Sequence, residues 1–157
     1  MVMEKIYTMN WRVLYFTIDG DPFGKLNIRP MNAKGHASAL NQKENADCME
    51  KVSSAVKKQL GEGSNPDPDS MFSVSVHAYF QIPKSFSKKK KLLAMQSKVK
   101  PTKKPDLDNI SKAVLDGITR SQSVWKDDAQ VIEEHLFKYY AENPCVVVVI
   151  EKKDMQQ

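Results

Sequence analysis

Asp106-Leu107-Asp108-Asn109 follows directly on a stretch from Met71 to Pro105 that contains no acidic residue and nine lysines, all between Lys84 and Lys104. Lys112 lies four residues beyond Asp108, and a second acidic pair, Asp127-Asp128, comes after it. Carboxylates hold hard divalent cations, and lysines hold polyanions. Metal-assisted hydrolysis of a phosphodiester needs both in one place. The residue types therefore point to cleavage of a nucleic-acid backbone.

The spacing sets what each residue can do. Two residues apart, side chains share a side in extended chain but not in a helix interior. Pro105 favours extended backbone before it and a helix start after it, so Asp106 and Asp108 sit where one becomes the other. There both can converge on one ion, or either can simply cap the helix, the commoner role for such an Asp. Lys112 shares the helical face of Asp108, as a surface pair or as a cation beside a scissile phosphate. Asp116 continues that face and reads equally well as a solvated acid. Adjacent Asp127 and Asp128 repel unless solvated or bridged by cations. The catalytic reading requires the two acidic clusters, Asp106 with Asp108 and Asp127 with Asp128, to be drawn together.

Other chemistries fail on pattern. A calcium loop starting at Asp106 would need Gly where Ser111 stands and a ligating side chain where Gly117 stands. There is no Gly-rich phosphate loop, serine elbow or HExxH, and His36, His77 and His135 are single and scattered. Cys48 and Cys145 have no metal-ligand spacing and read as packed, reduced thiols.

The elements that must position these residues follow from periodicity. Trp11 to Ile18 reads as a strand ended by the turn Asp19-Gly20-Asp21-Pro22. Residues 23–41 read as a basic loop with Lys25 and Arg29. Met49, Val52, Val56 and Leu60 mark a helix from Gln42 to Leu60, closed by Gly61. Gly61 to Ser70 reads as a surface linker, and Met71 to Ile82 alternates as a half-buried strand. Residues 84–104 form a second basic loop with one short helix around Leu92 and Met95. Leu107, Ile110, Val114 and Ile118 mark a helix from about Asp106 to Thr119. Gln130–Tyr140 and Cys145–Lys152 read as a hairpin, with the unbroken Val146–Ile150 run central and covered on both faces. The order βαβ(α)αββ predicts one α+β domain, a small mostly antiparallel sheet packed against helices. The tail after Lys153 is expected to be loose.

At 157 residues the chain suits one domain, and 41% apolar content supports a packed core. A formal charge of +5 favours an anionic partner without naming it. No stretch approaches the roughly 18 apolar residues of a membrane span, and no signal-peptide run opens the chain, so a cytoplasmic protein with no membrane partner is expected.

The run Asp106-Leu107-Asp108-Asn109-x-x-Lys112-Ala113-x-x-Asp116-Gly117-Ile118, then Val124-Trp125-x-Asp127-Asp128-Ala129-Gln130-Val131, resembles the RusA family of Holliday junction resolvases. Gly20-Asp21-Pro22-Phe23-Gly24-Lys25 with Arg29-Pro30 is similar to the family's N-terminal strand and basic loop. The resemblance implies one endonuclease domain over 1–157, acting as a homodimer on branched DNA and often phage or prophage encoded. It implies dependence on Mg2+, with Mn2+ as a substitute, and symmetric paired nicking of four-way junctions in recombination and repair. The metal-binding acids then fall on Asp106, Asp108 and Asp128, with Asp127 assisting, and the essential lysine on Lys112. Lys25, Arg29, Lys88, Lys89, Lys90, Lys91, Lys103 and Lys104 are the expected phosphate contacts. The alternatives are a non-cleaving protein that binds junctions or single strands, and a nuclease that prefers flaps or forks.

Overall fold

Among the described residues, three helices and a four-stranded sheet arise from the two periodicities in the chain. The structure, a computed structural model, describes residues 11–26 and 36–153. Arg29 and the tail after Lys153 lie outside the described residues.

Strand β1 (Val13–Asp19) alternates in burial, with Leu14, Phe16 and Ile18 turned inward. The turn after it uses Gly20 at φ +107°, and the Gly20 amide donates to the Pro144 carbonyl at 3.0 Å. Helix α1 spans His36–Leu60. It starts earlier than the Gln42 expected, because residues 36–41 lack the apolar period that marks the rest. Its end is as expected: Gly61 takes φ +87°, and its amide caps the Lys57 carbonyl. Strand β2 (Met71–Gln81) buries Val74, Val76, Ala78 and Phe80.

The second basic loop is partly helical. Lys88 to Lys91 form the opening turn of α2 (Lys88–Met95), which Ser87 caps through its hydroxyl. Helix α3 (Leu107–Ser121) buries Ile110, Val114 and Ile118. A single 3-10 turn, Asp128–Gln130, leads into β3 (Val131–Ala141), and β4 (Cys145–Lys153) follows.

The sheet order is β1-β4-β2-β3. Two of the three pairings, β1 with β4 and β2 with β4, are antiparallel, while β2 and β3 run parallel. The expected β3–β4 hairpin is therefore wrong: β2 lies between them. The connector is held by the end of that intervening strand. Gln81 Nε2 donates to the Glu142 carbonyl at 2.8 Å, and the Ile82 amide to the Ala141 carbonyl at 3.1 Å. β4 is central, but one side only is fully covered. Val146, Val148 and Ile150 are buried, whereas Val147 and Val149 on the other face are half-buried.

Helices α1 and α3 pack on the first face, with Val52, Val56, Ile110, Val114, Ile118 and Trp125 joined to the inward strand residues in one core. The two helices meet closely at Gly117. A Cβ there would stand 2.4 Å from Val52 Cβ and 3.0 Å from the Met49 carbonyl. Only a residue without a side chain permits that crossing, and the crossing sets the lie of α3.

Candidate active site

The acidic residues of α3 occupy different local roles. Asp106 is the N-cap of α3 by position, with extended backbone, and its carbonyl accepts from the Ile110 amide at 3.0 Å. Its side chain makes no capping hydrogen bond. The ordinary role of an Asp at this position is thus not taken up, and the exposed carboxylate remains available to a ligand. Asp108 lies in the first turn, where the helix dipole favours negative charge. Lys112 Nζ stands 3.5 Å from Asp108 Oδ2, both side chains exposed. Such a pair contributes only some tenths of a kcal/mol, so both groups can engage a substrate at small cost. Asp116, one turn further, receives the Lys25 ammonium at 2.6 Å.

Lys25 is thereby committed to α3. Its amide donates to the Asn109 carbonyl at 2.8 Å, and the following Leu26 exchanges two hydrogen bonds with the Asn45 side chain. Gly24 fits between them because a Cβ there would meet Pro105 Cβ at 2.8 Å. The N-terminal segment is stapled to the start of α3 where the two aspartates stand.

The second acidic pair is held by a framework that sequence reasoning missed. Trp125 is fully buried, edge-on to Phe72, with its indole N–H on Thr119 Oγ1 at 2.7 Å. Asp127 caps the short turn: Oδ1 accepts from the Ala129 amide at 2.8 Å. Gln130 closes the box. Its Oε1 accepts from the Lys126 and Asp127 amides, and its Nε2 donates to the carbonyls of Asp67 and Ser70, both at 2.9 Å. The linker carrying Asp67 and Ser70 is thus a support for this loop. Burial alone would raise the Asp67 carboxyl. The Ser70 hydroxyl, the Asp69 and Ser70 amides and Lys152 instead hold it far below the usual carboxylate range. With Asp127 spent on its cap, Asp128 is the freer acid. Partial burial, a hydrogen bond shared with Asp127, and the charges of Asp127 and Asp116 push its carboxyl up.

Strand β3 supplies two further groups toward α3, both missed in the sequence. Glu134 bonds to the Ser111 hydroxyl, and Lys138 sits near enough to Asp106 to feel its charge. Asp128, Glu133, Glu134 and Leu115 line an open recess of about 360 Å³ beside them.

The family model for the endodeoxyribonuclease RusA matches residues 19–151, which include Asp106, Asp108, Lys112, Asp127, Asp128, Glu134 and Lys138. The chain belongs to the RusA family. YqaN, an uncharacterized protein of Bacillus subtilis (strain 168), is 32% identical to this chain over 139 residues, covering 87% of this chain and 94% of its own. Membership carries endodeoxyribonuclease chemistry on branched DNA and, as a family property, dependence on a divalent metal. No helix among the described residues is long and apolar enough to cross a membrane.

The donor set suits such an ion, since every candidate is an oxygen ligand of the kind hard cations prefer. Among the described residues, however, no three acidic, histidine or cysteine side chains already stand close enough to hold one ion. Asp106 is near Lys138, Asp108 is paired with Lys112, and Asp128 is coupled to Asp127 and Asp116. Carboxylates at ligand spacing repel without a cation between them. In this chain Asp106 and Asp108 are accordingly matched to lysines and Asp128 to its neighbour Asp127, and the acids do not form a preformed cage.

The basic residues expected to bind DNA divide in two. Lys88, Lys89 and Lys90 are exposed and Lys91 is half-exposed, at the positive end of α2 with no acid in that turn. Lys103 and Lys104 are exposed on the approach to Asp106. Lys25, by contrast, is already paired.

Proposed function

We propose that this chain is a Mg2+-dependent endodeoxyribonuclease that resolves four-way DNA junctions by symmetric paired nicks, acting as a homodimer. The observation that carries the reading is the state of Asp106. It occupies a helix N-cap without capping, at the seam between the lysine tract and the acidic stripe of α3.

In this reading Asp106, Asp108 and Asp128 hold the ion, and Asp127 is the structural neighbour that fixes the turn. When bound, the ion supplies Lewis-acid charge at the scissile phosphate and an acidified water. The protein's own residues do the rest. Lys112, exposed and one turn from Asp108, neutralises charge developing on the phosphate oxygens or donates a proton to the leaving oxygen. Lys88 to Lys91, Lys103 and Lys104 bind backbone phosphates and set the register of the strand without reading its sequence. Homodimerisation matches the near-twofold symmetry of a four-way junction, placing one site on each of two opposed strands.

The test uses purified protein with end-labelled four-way junction, fork, flap and duplex, in Mg2+, Mn2+ or EDTA. Paired nicks confined to the junction and dependent on metal are expected. Binding without incision in Mg2+ overturns the enzyme reading; equal cutting of flaps or forks overturns junction selectivity. Asp108→Asn should retain junction binding in EDTA while cleavage falls by orders of magnitude, and parallel loss of both would mark Asp108 as architectural.

A further inference from the structure

We propose that Lys138, on β3, is a positioning residue that clamps the Lys103–Asp106 segment and so sets where the Asp106 carboxylate stands. Its use in catalysis rests on the nuclease reading above; the clamp itself does not.

Lys138 pairs with the fully buried Ala78 in the sheet register, so it points to the helix-covered side. Its ammonium donates to the Lys103 carbonyl at 2.6 Å and lies 5.0 Å from the centroid of the Phe80 ring. The ammonium of Lys103 faces the same ring at 5.8 Å. Lys103 is thus held through its backbone at one small patch of β2 and β3, while its side chain stays exposed. Asp106 is three residues on, a reach of only about 10 Å. Pro105, between them, is backed by Gly24 on the other side. Fixing Lys103 therefore restricts Asp106.

The electrostatics agree. Burial pulls the Lys138 ammonium below the usual lysine range, and the charge of Asp106 pulls it back. A lysine has three N–H donors and one is spent on the carbonyl. Unlike the exposed lysines of α2, this one is already ordered, so little side-chain entropy is lost when the site closes on DNA.

Backbone 15N relaxation of the DNA-free protein tests the clamp directly. In Lys138→Met the order parameters of the Thr102, Lys103, Lys104 and Asp106 amides should fall from about 0.85 to below about 0.6, while those of Ile110 to Ile118 are unchanged. With junction at saturating protein, cleavage should slow by about tenfold or more, and the Kd in EDTA should stay within about threefold. Lys138→Arg, which can still donate to the Lys103 carbonyl, should restore the order parameters and most of the rate. It decides the matter if the Met variant folds poorly. Unchanged order parameters in Lys138→Met, or a Lys138→Arg segment as mobile as in the Met variant despite a native melt, overturn the clamp. So does weaker binding with an unaltered rate at saturation, which would make Lys138 an ordinary phosphate contact. If wild-type protein cuts no junction, the nuclease reading fails and the relaxation result alone still judges the clamp.

Discussion

Gln130→Ala removes a side chain whose four hydrogen bonds tie the Asp127-Asp128 loop to the Asp67–Ser70 segment. The Lys126 and Asp127 amides are on the exposed side, where water replaces the lost acceptor, so these two bonds contribute about 0.5 kcal/mol each. The bonds to the Asp67 and Ser70 carbonyls are part-buried and contribute about 1 kcal/mol each. The expected loss is about 2–3 kcal/mol, a fall of roughly 4–12 °C in Tm for a domain of this size. Cleavage should fall further than stability at 25 °C explains, because Asp128 loses its fixed turn while the fold persists. Gln130→Glu is the discriminating partner variant. It keeps the acceptor for the two amides, loses the donors to the linker, and adds a carboxylate beside Asp127 and Asp128. It should melt below wild type, and more so at low salt. The readouts are thermal melting by circular dichroism and single-turnover junction cleavage in Mg2+. A Gln130→Ala protein melting within about 2 °C of wild type and cutting at the wild-type rate would refute the claim that this glutamine holds the acidic loop.

Other outcomes follow from the same geometry. The Asp128 carboxyl is raised above its ordinary value of 3.8, so its ionised form opposes folding. That penalty is absent below the ordinary value and complete above the raised one. Asp128→Asn should therefore melt above wild type at pH 7, with the difference vanishing by about pH 3, while junction cleavage is lost; an equal or lower Tm at pH 7 counts against the coupling. Gly117→Ala forces α1 and α3 apart at Val52 and the Met49 carbonyl. Overpacking of about 1–3 kcal/mol, less about 1 kcal/mol of helix propensity, predicts a net loss in chemical denaturation, and a more stable variant would show that the crossing relaxes freely. Replacing Lys88 to Lys91 by glutamine should reduce the slope of log binding constant against log salt by about two or more, measured by titration in EDTA, and an unchanged slope would leave these lysines solvated.

Much of the architecture was legible because burial imposes a period. The existence of β1, the Met49–Leu60 stripe of α1 and the Ile110–Ile118 stripe of α3 are visible in residue types alone. The inward face of β1 is not, because Val13 and Tyr15 on its outer face are exposed yet apolar. The start of α1 at His36 was not, since polar residues carry no period. The β3–β4 pairing was misread for a related reason. Two strand-like runs with a short Asn-Pro connector look like a hairpin locally, and nothing local reports that β2 inserts between them. For the site, Asp106 and Asp108 were visible as acids at a helix start, but their sequence could not say whether either would cap. The Asp127 cap and the Gln130 box could have been found, since Asp followed three residues later by Gln is a capping signature.

The groups missed outright, Glu134 and Lys138, come from the strand that was paired wrongly. The inward positions of β4 are Val146, Val148 and Ile150, all fully buried, because a central strand lies beneath α1 and α3. As a hairpin partner of β4, β3 would occupy similar ground, and a lysine or glutamate facing inward would be a buried charge costing several kcal/mol. At the sheet edge beside β2 the helix cover is incomplete, and inward positions can carry charge that reaches the start of α3. The same pattern of polar residues that weakens β3 as a core strand is what suits it to be one wall of the site. Alternation that breaks with Glu134 and Lys138 on the inward side is thus a signal of an edge strand at a functional cleft, readable from sequence once the parallel pairing is considered.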